Sequence, residues 1–395
     1  MKKYIVQIFT ILILISNSLL GQNGWVQKAN GPAKSRAGNF VIGNYGYYGA
    51  GNDTVVAEVS DWYRYDPSND SWSSISNMPS GMQALESFSI GNKGYAGIGW
   101  ASSSPKMNFY EYDPSNNSWA TKASYPSGAN PPSDAGSFVL NNEGYVLGGA
   151  IAYSNVTQSV CNKFNPTSNT WTAISSLPQN KQRTNGNSIN GEGYAFCGLN
   201  PGLNTDTSCF KYNSITNSWS RIASLNGNTE RYNSFVLNNN IYVITDSTST
   251  GNTQYDFWSY DTLLNTWSQM PSRPFSGLVE ATFVINNRVF VILSNGNVWE
   301  FTSLTGIAPP SNTNTVSVYP NPAHDHLQIN VGDLASMSGY TIKITNTLGQ
   351  IVFNSPANQQ AFDINLNTWT GHGTYVLYIL DQSQTVKSVK EIVLQ

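Results

Sequence analysis

The chain has 395 residues and a formal net charge of −3, and only 11% of its residues are charged. An average globular protein carries roughly 25% charged residues, so asparagine, serine and threonine supply most of the polarity here. Since the chain has no basic excess, we expect neither nucleic acid nor an anionic membrane surface as its partner.

The beginning of the chain has the order of a secretory signal peptide. Two lysines precede an apolar run at residues 5–15, and residues 16–21 then lead to a candidate cleavage site. The apolar run is too short to span a bilayer. We therefore predict a signal peptide over residues 1–22, whose removal leaves no membrane span in the mature chain.

Tryptophan recurs along the chain at steps of 47 to 52 residues. The six members of this series are Trp25, Trp72, Trp119, Trp171, Trp219 and Trp267. Four of them end nearly the same phrase, which in its first copy runs from Tyr65 to Trp72 through an Asp-Pro-Ser-Asn sequence. Proline fixes φ, and aspartate and asparagine bond to their own backbone, so the phrase predicts a tight turn between antiparallel strands. A period near 50 residues indicates repeated supersecondary units.

A second module precedes each phrase and consists of two apolar strands joined by an Asn/Gly turn, as at residues 40–51. Each unit therefore holds four strands and no helical stretch, which is the content of one propeller blade. Residues 25–28 form a fourth strand that lacks its first three, whereas the last unit has three strands and no fourth. We predict that residues 25–28 complete the last blade, so that six blades close over residues 23–305.

The repeats resemble those of the kelch family. Gly148 and Gly149 form the only complete copy of the kelch diglycine in the sequence, and most other repeats keep only the second glycine. The tyrosine, Asp-Pro and tryptophan elements match the family better, and together they cover about residues 23–305. The resemblance implies an all-β fold, a six-bladed kelch-type β-propeller.

The repeats end near residue 305, and a linker rich in proline, serine and asparagine follows at residues 306–315. Residues 316–395 then show seven short apolar strands with turn signals between them, which predict a small Ig-like β-sandwich. This segment opens on a Tyr-Pro-Asn-Pro sequence at Tyr319, carries an Ile-Thr-Asn-Thr-Leu-Gly-Gln sequence from Ile344, and ends in Lys-Glu-Ile-Val-Leu-Gln.

These motifs resemble the C-terminal sorting domain of the type IX (Por) secretion system of Bacteroidetes-type cells. The resemblance implies export through the periplasm and across the outer membrane, with residues 316–395 recognised by the secretion machinery. We therefore expect a secreted or outer-cell-surface protein, released or attached to the surface after the tail is removed.

Catalytic chemistry has little support in the repeats, because all three histidines of the sequence lie in the sorting segment. The copper centre of galactose-oxidase-like kelch propellers needs two histidines, and Ser-His-Asp and Cys-His arrangements need one. We predict no catalytic residue, no metal ion and no cofactor. Cys197 and Cys209 fit either a cross-strand disulfide or simple burial as thiols.

One position recurs four residues before the apolar start of each innermost strand. Its occupants are Arg36, Ala84, Asp134, Arg183, Arg231 and Val279. Two further carboxylates lie close to its uncharged members, and the kelch resemblance implies that the position rims a central channel where arginines hold acidic or hydroxylated ligands. The predicted ligand-binding residues are Arg36, Glu86, Asp134, Arg183, Arg231 and Glu280. The alternative is that these groups pair with one another and with loop carbonyls.

Three functions fit these observations. The first is a monomeric binding module that recognises a glycan or a protein at one face of the propeller. The second is a carbohydrate-active enzyme similar to the sialic-acid-epimerase-type kelch proteins, which need no metal and use arginine and glutamate at the channel mouth. The third is a structural component of the cell surface. The sequence favours the first, because it combines a kelch-like scaffold with an export signal and its repeats lack a catalytic constellation.

Overall fold

The structure, a computed structural model, describes residues 24–126, 132–151, 156–225, 231–237, 240–246, 256–262, 264–301, 316–331, 334–346, 350–367, 369, 373–382 and 386–394. The predicted signal peptide and the predicted linker lie outside these residues. The chain divides into two compact units, Met1–Ser303 and Leu304–Gln395. Within the described ranges, no helix has the length and apolar character needed to cross a lipid bilayer.

The described part of the first unit contains 26 β-strands, and its opening strand is β1 (Trp25–Lys28). The first sheet contains β2 (Gly38–Ile42), β3 (Tyr45–Gly49), β4 (Trp62–Asp66) and β5 (Ser71–Ile75). The second contains β6 (Glu86–Ile90), β7 (Lys93–Ala101), β8 (Ser104–Asp113) and β9 (Ser118–Lys122). The third contains β11 (Gly136–Leu140), β12 (Glu143–Leu147), β14 (Cys161–Asn165) and β15 (Thr170–Ile174), beside a two-stranded ribbon of β10 (Pro132–Ser133) and β13 (Ala150–Ile151).

Three more four-stranded antiparallel sheets complete the unit. The fourth contains β16 (Asn185–Ile189), β17 (Glu192–Phe196), β18 (Cys209–Asn213) and β19 (Ser218–Ile222). The fifth contains β20 (Arg231–Leu237), β21 (Asn240–Asp246), β22 (Phe257–Asp261) and β23 (Thr266–Met270). The sixth contains β24 (Val279–Ile285), β25 (Arg288–Leu293) and β26 (Val298–Phe301), with β1 as its fourth strand.

The two ends of the unit meet in the sixth sheet. β1 pairs antiparallel with β26, and Trp25 lies opposite Phe301 in the register. The pairing that we predicted for residues 25–28 is therefore present. The first strand of each sheet contacts the first strands of its two neighbours, in the cyclic order β2, β6, β11, β16, β20, β24 and back to β2. The first strands thus surround a common centre.

Five of the six repeated tryptophans donate their indole N–H to a backbone carbonyl of the preceding sheet. Nε1 of Trp119 lies 2.8 Å from the carbonyl oxygen of Ser76, and Nε1 of Trp171 lies 2.9 Å from that of Ala123. The same bond joins Trp72 to Ala29, Trp219 to Ser175 and Trp267 to Ala223. In all five cases the acceptor directly follows the fourth strand of the preceding sheet, so the tryptophan series joins neighbouring sheets.

The residue two positions before each of these five tryptophans accepts a hydrogen bond from the N–H of that same acceptor residue. Oδ1 of Asn117 accepts a hydrogen bond from the Ser76 N–H at 2.9 Å, and Oδ1 of Asn169 accepts one from the Ala123 N–H at 2.9 Å. Asp70, Asn217 and Asn265 bind Ala29, Ser175 and Ala223 in the same way. These five side chains sit on backbone with φ between 47° and 53°, a conformation that asparagine and aspartate adopt more readily than most residues.

Two Asx positions recur in every phrase, at its second and its sixth residue, and they have different partners. The first forms the predicted turn with its own backbone, as where Oδ1 of Asp113 accepts from the Ser115 N–H at 2.9 Å. The second, which we had also assigned to its own backbone, bonds to the preceding sheet and accepts the hydroxyl of the phrase tyrosine, as where Tyr112 bonds to Asn117 at 2.9 Å. The sequence could not separate the two roles, because both use the same residue types.

A phenylalanine in most first strands packs onto a glycine of the next sheet. A Cβ atom on Gly94 would overlap the ring of Phe40, and one on Gly144 would overlap the ring of Phe88. The pairs Phe138 with Gly193 and Phe283 with Gly46 repeat this contact. Glycine is needed at these positions because the aromatic ring occupies the space of a side chain.

The cysteines of the first unit are buried thiols. Sγ of Cys197 lies 3.9 Å from Sγ of Cys209, well beyond the roughly 2.05 Å of a disulfide bond. Cys161 is buried as well, and all three are free. The sequence left open a disulfide or buried thiols, and the structure contains buried thiols.

The described part of the second unit contains seven strands, the number that the sequence predicts. They are β27 (Ser317–Tyr319), β28 (His326–Asn330), β29 (Thr341–Asn346), β30 (Ile351–Pro356), β31 (Ala361–Asn365), β32 (Gly373–Leu380) and β33 (Val386–Leu394), with a 3-10 helix at Leu334–Met337. One sheet has the order β27-β28-β31 and the other β30-β29-β32-β33. A single apolar cluster, which includes Leu327, Ile344 and Leu377, is shared by both sheets.

We predict that the indole N–H of the repeated tryptophans contributes measurably to stability. Trp171→Phe keeps an aromatic ring but removes the donor to Ala123. Trp299→Phe is the matched control, because Nε1 of Trp299 is buried without a hydrogen-bond partner among the described residues. In chemical denaturation of the full chain, Trp171→Phe should lower the free energy of unfolding by about 1 kcal/mol more than the control. An equal loss in both variants would contradict a stabilising role for this bond.

Candidate functional site

Four of the six occupants of the predicted channel position share an unusual backbone conformation. Arg36, Ala84, Asp134 and Arg183 have φ between 49° and 53°. Their backbones form a chain of hydrogen bonds from sheet to sheet. The Ala84 N–H donates to the Arg36 carbonyl at 2.9 Å, the Asp134 N–H to the Ala84 carbonyl at 3.3 Å, and the Arg183 N–H to the Asp134 carbonyl at 2.6 Å. The position is therefore fixed by backbone bonds around the centre.

A carboxylate takes part in this chain where the last and first sheets meet. The Arg36 N–H donates to Oε2 of Glu280 at 2.7 Å. Glu280 belongs to β24, which lies beside β2 in the cycle of first strands. The side chain of Glu280 thus accepts the bond that a backbone carbonyl accepts at the three sheet junctions described above. The sequence predicts that Glu280 lies close to the channel position that the uncharged Val279 occupies, and its bond to the Arg36 N–H agrees with that prediction.

The carboxylate of Asp134 lies between two arginines. Its Oδ2 atom accepts a hydrogen bond from Nη2 of Arg36 at 3.1 Å and lies 3.7 Å from Nε of Arg183. The side chains of Arg36 and Asp134 are 15% and 13% exposed, and that of Arg183 is 29% exposed. Solvent therefore screens the second pair more than the first. Two positively charged side chains thus share one negatively charged side chain.

Glu86 is the most buried of the five site residues whose side chains the structure describes, with 7% of its surface exposed. Burial, and to a lesser extent the negative charge of Asp134, raise the pKa of its carboxyl group, which lies at about 7. Hydrogen bonds from the Ser137 hydroxyl and the Ala135 N–H oppose these effects by stabilising the carboxylate. Glu86 is therefore present in both protonation states near neutral pH.

The site residues line one cavity of about 300 Å³ at the centre of the first unit. Arg36, Glu86, Asp134, Arg183 and Glu280 all contribute to its wall. The structure thus brings together five of the six residues that the sequence predicts. The sixth, Arg231, begins β20, and its side chain lies outside the part of the chain that the structure describes.

The cavity also has a ring of small polar residues that the sequence analysis did not select. The members are Asn39, Ser87, Ser137, Ser234 and Thr282. Several of them bridge neighbouring first strands, as where the Ser87 hydroxyl accepts from the Asn39 N–H at 2.7 Å and donates to the Asn39 carbonyl at 2.9 Å. The alternation of polar and apolar residues in each first strand could have identified them, because the polar positions point away from the apolar core.

The chemistry of the cavity is that of hydrogen bonding and charge. Guanidinium donors, carboxylate acceptors and hydroxyl groups lie side by side, which suits a ligand with several hydroxyl groups. The described residues hold no cluster of three or more histidine, cysteine, aspartate or glutamate side chains that could bind a metal ion.

Comparisons with known proteins identify the tail and support the fold. Residues 317–395 match the family of the secretion system C-terminal sorting domain. A solved structure of YjhT superposes with a TM-score of 0.56 at 14% sequence identity, covering 69% of this chain and 94% of that chain. At this identity the likeness shows an all-β fold of similar architecture and nothing about function. No curated protein matches the chain.

The sorting domain determines where the protein goes. It marks proteins that the type IX secretion system exports to the cell surface or to the outside, and it implies an interaction with the secretion machinery. The predicted localisation is therefore confirmed.

We predict that Glu86 makes the stability of the first unit depend on pH. The pKa of its carboxyl group is about 7 in the folded chain, against an ordinary value of 4.5. Because the folded state binds this proton more tightly than the unfolded state does, the free energy of unfolding falls as the pH rises from about 4.5 to about 7 and stays low above that. The loss is on the order of 3 kcal/mol, since a tenfold change in proton affinity is worth about 1.4 kcal/mol.

The variant Glu86→Gln should remove this loss, because a carboxamide does not ionise. Chemical denaturation of both proteins between pH 5 and pH 8 measures the difference. Parallel pH profiles for the wild type and the variant would contradict the assignment.

Proposed function

We propose that the protein is a secreted or cell-surface binding module in which residues 23–305 form a six-bladed kelch-type β-propeller. In this proposal residues 1–22 are a signal peptide, residues 306–315 are a linker, and residues 316–395 are the type IX sorting tail. The six four-stranded sheets and the cyclic contacts of their first strands support the propeller. The sorting domain supports the export.

The ligand that suits the central cavity best is a glycan with several hydroxyl groups. The observation that carries this proposal is the shared contact of Asp134 with Arg36 and Arg183 inside a cavity of about 300 Å³. Hydroxyl groups can donate to the carboxylate and accept from the guanidinium groups at the same time. An acidic sugar would have to compete with Asp134 for the arginines, so a neutral glycan fits better.

We predict binding of a neutral glycan when the full chain is applied to an array of neutral and acidic glycans. For a glycan that binds, Arg183→Ala should weaken the affinity at least about tenfold, which corresponds to about 1.4 kcal/mol, because a charged donor in the cavity is lost. The matched control is Arg221→Ala, since Arg221 is exposed on β19, a fourth strand far along its sheet from the first strands.

Binding that Arg183→Ala and Arg221→Ala affect equally would place the site outside the cavity. An array without any bound glycan would contradict the glycan proposal. A protein ligand or a structural role at the cell surface would then be the remaining functions.

An enzyme that acts on a sugar is the second candidate, and Glu86 is the observation that favours it. A buried carboxyl group with a pKa of about 7 in a polar cavity can donate and accept protons at neutral pH. The arginines beside Asp134 would hold the substrate. We expect Glu86→Gln to keep glycan binding and to abolish turnover of a bound glycan. NMR of the sugar measures this turnover. Unchanged sugar signals with the wild-type protein would leave the binding module as the function.

A further inference from the structure

A second cavity of about 260 Å³ adjoins the first. The two cavities share Asn39, Gly186 and Thr282 in their walls. The second one is lined by later residues of the first strands, among them Val139, Ser188 and Asn187. No charged side chain of the described residues contributes to it, whereas five charged side chains line the first cavity. The two cavities therefore offer different chemistry.

Asn187 interrupts a regular feature of the first strands. The equivalent residue in the other five sheets is Phe40, Phe88, Phe138, Phe235 or Phe283. At four sheet junctions this phenylalanine packs onto a glycine of the next sheet. At the junction of Asn187 the residue in the glycine register is Ile241, which pairs with Tyr260 as the glycines pair with their tyrosine or phenylalanine.

The exchange of Phe and Gly for Asn and Ile keeps the junction filled. Ile241 is fully buried and belongs to an apolar cluster with Tyr194, which lies opposite Asn187 in the fourth sheet. Ile241 thus supplies from the fifth sheet the apolar volume that a phenylalanine supplies elsewhere. The packing of the core therefore does not require the side chain of Asn187.

The carboxamide of Asn187 lies in the wall of the second cavity instead. Asn187 is half-buried, and its Nδ2 donates a hydrogen bond to Oγ of Ser234. Its Oδ1 accepts no hydrogen bond from the described residues. A carboxamide offers both donors and an acceptor, which match the acceptor and donor of an amide. Phe138 and Val139 also line this cavity and give it an apolar wall.

We propose that the second cavity is a separate binding subsite for an uncharged group that carries an amide, held by Asn187 and by the apolar residues beside it. Its volume equals that of about nine liquid waters at ~30 Å³ each, which is enough for a short acylated amine. This inference goes beyond the proposed glycan binding and does not depend on it.

The test uses N-butylacetamide, an uncharged amide of eight heavy atoms without hydroxyl groups. NMR titration of the full chain should give saturable binding with a dissociation constant in the millimolar range, as expected for so small a ligand. The double variant Asn187→Phe with Ile241→Gly reproduces the packing pair found at four other junctions and removes the carboxamide from the cavity wall, so it should fold and bind at least about fivefold more weakly. Asn187→Ala leaves the space open and should weaken binding about fivefold, through loss of one neutral hydrogen bond. Arg221→Ala should bind as the wild type does.

Absence of saturable binding to the wild type would overturn the proposal, and so would unchanged binding by the double variant. If circular dichroism shows that the double variant does not fold, Asn187→Ala decides, and unchanged affinity in that variant overturns the proposal. Because N-butylacetamide has neither charge nor hydroxyl groups, its binding is independent of the glycan array. Failure of either proposal can therefore be recognised separately.

Discussion

The arrangement of sheets in the first unit depends on one contact between neighbours. At five junctions, a sheet forms hydrogen bonds with the residue that follows the fourth strand of the sheet before it. The residue that follows a fourth strand would leave its N–H and its C=O without partners at the outer edge of a sheet, and unpaired backbone groups there are costly and open to association. An asparagine or aspartate accepts from that N–H, and the indole of the tryptophan two residues later donates to that C=O. The same pair of bonds occurs at five junctions, and its fixed position in each repeat explains the regular spacing of the tryptophans.

This outer contact leaves the centre free to be polar. The first strands of neighbouring sheets are not joined by a complete backbone ladder, so serine and asparagine side chains supply bonds between them, as Ser87 does with Asn39. At one end of these strands the backbone bonds from Arg36 to Arg183 hold charged side chains around a shared space. The charged side chains at the centre therefore contribute little to the packing between sheets. They are available to bind a ligand.

The sequence predicted the positions of the site better than its interactions. The register of the repeats selected Arg36, Asp134 and Arg183, and the structure brings them together, because a residue at a fixed place in every repeat must lie at the same height around a common centre. Register alone could not show that one oxygen of Asp134 faces both arginines, or that the Glu280 carboxylate accepts the Arg36 N–H, since these depend on side-chain conformations. The exchange at Asn187 and Ile241 was also missed, because the two residues are 54 positions apart and belong to one sheet junction only when sheets four and five pack. The seven strands of the tail and its sorting motifs were readable because they depend on local alternation and turn residues.

The central claim is that the cavity between Arg36, Asp134 and Arg183 binds a neutral glycan. The most direct measurement is a crystal structure of the protein soaked with a mixture of neutral oligosaccharides. We expect electron density for a sugar ring in this cavity, with hydroxyl groups within hydrogen-bond distance of the Asp134 carboxylate and of the Arg183 guanidinium. A sugar bound only at the outer edges of the sheets, with ordered water alone between the arginines, would contradict it.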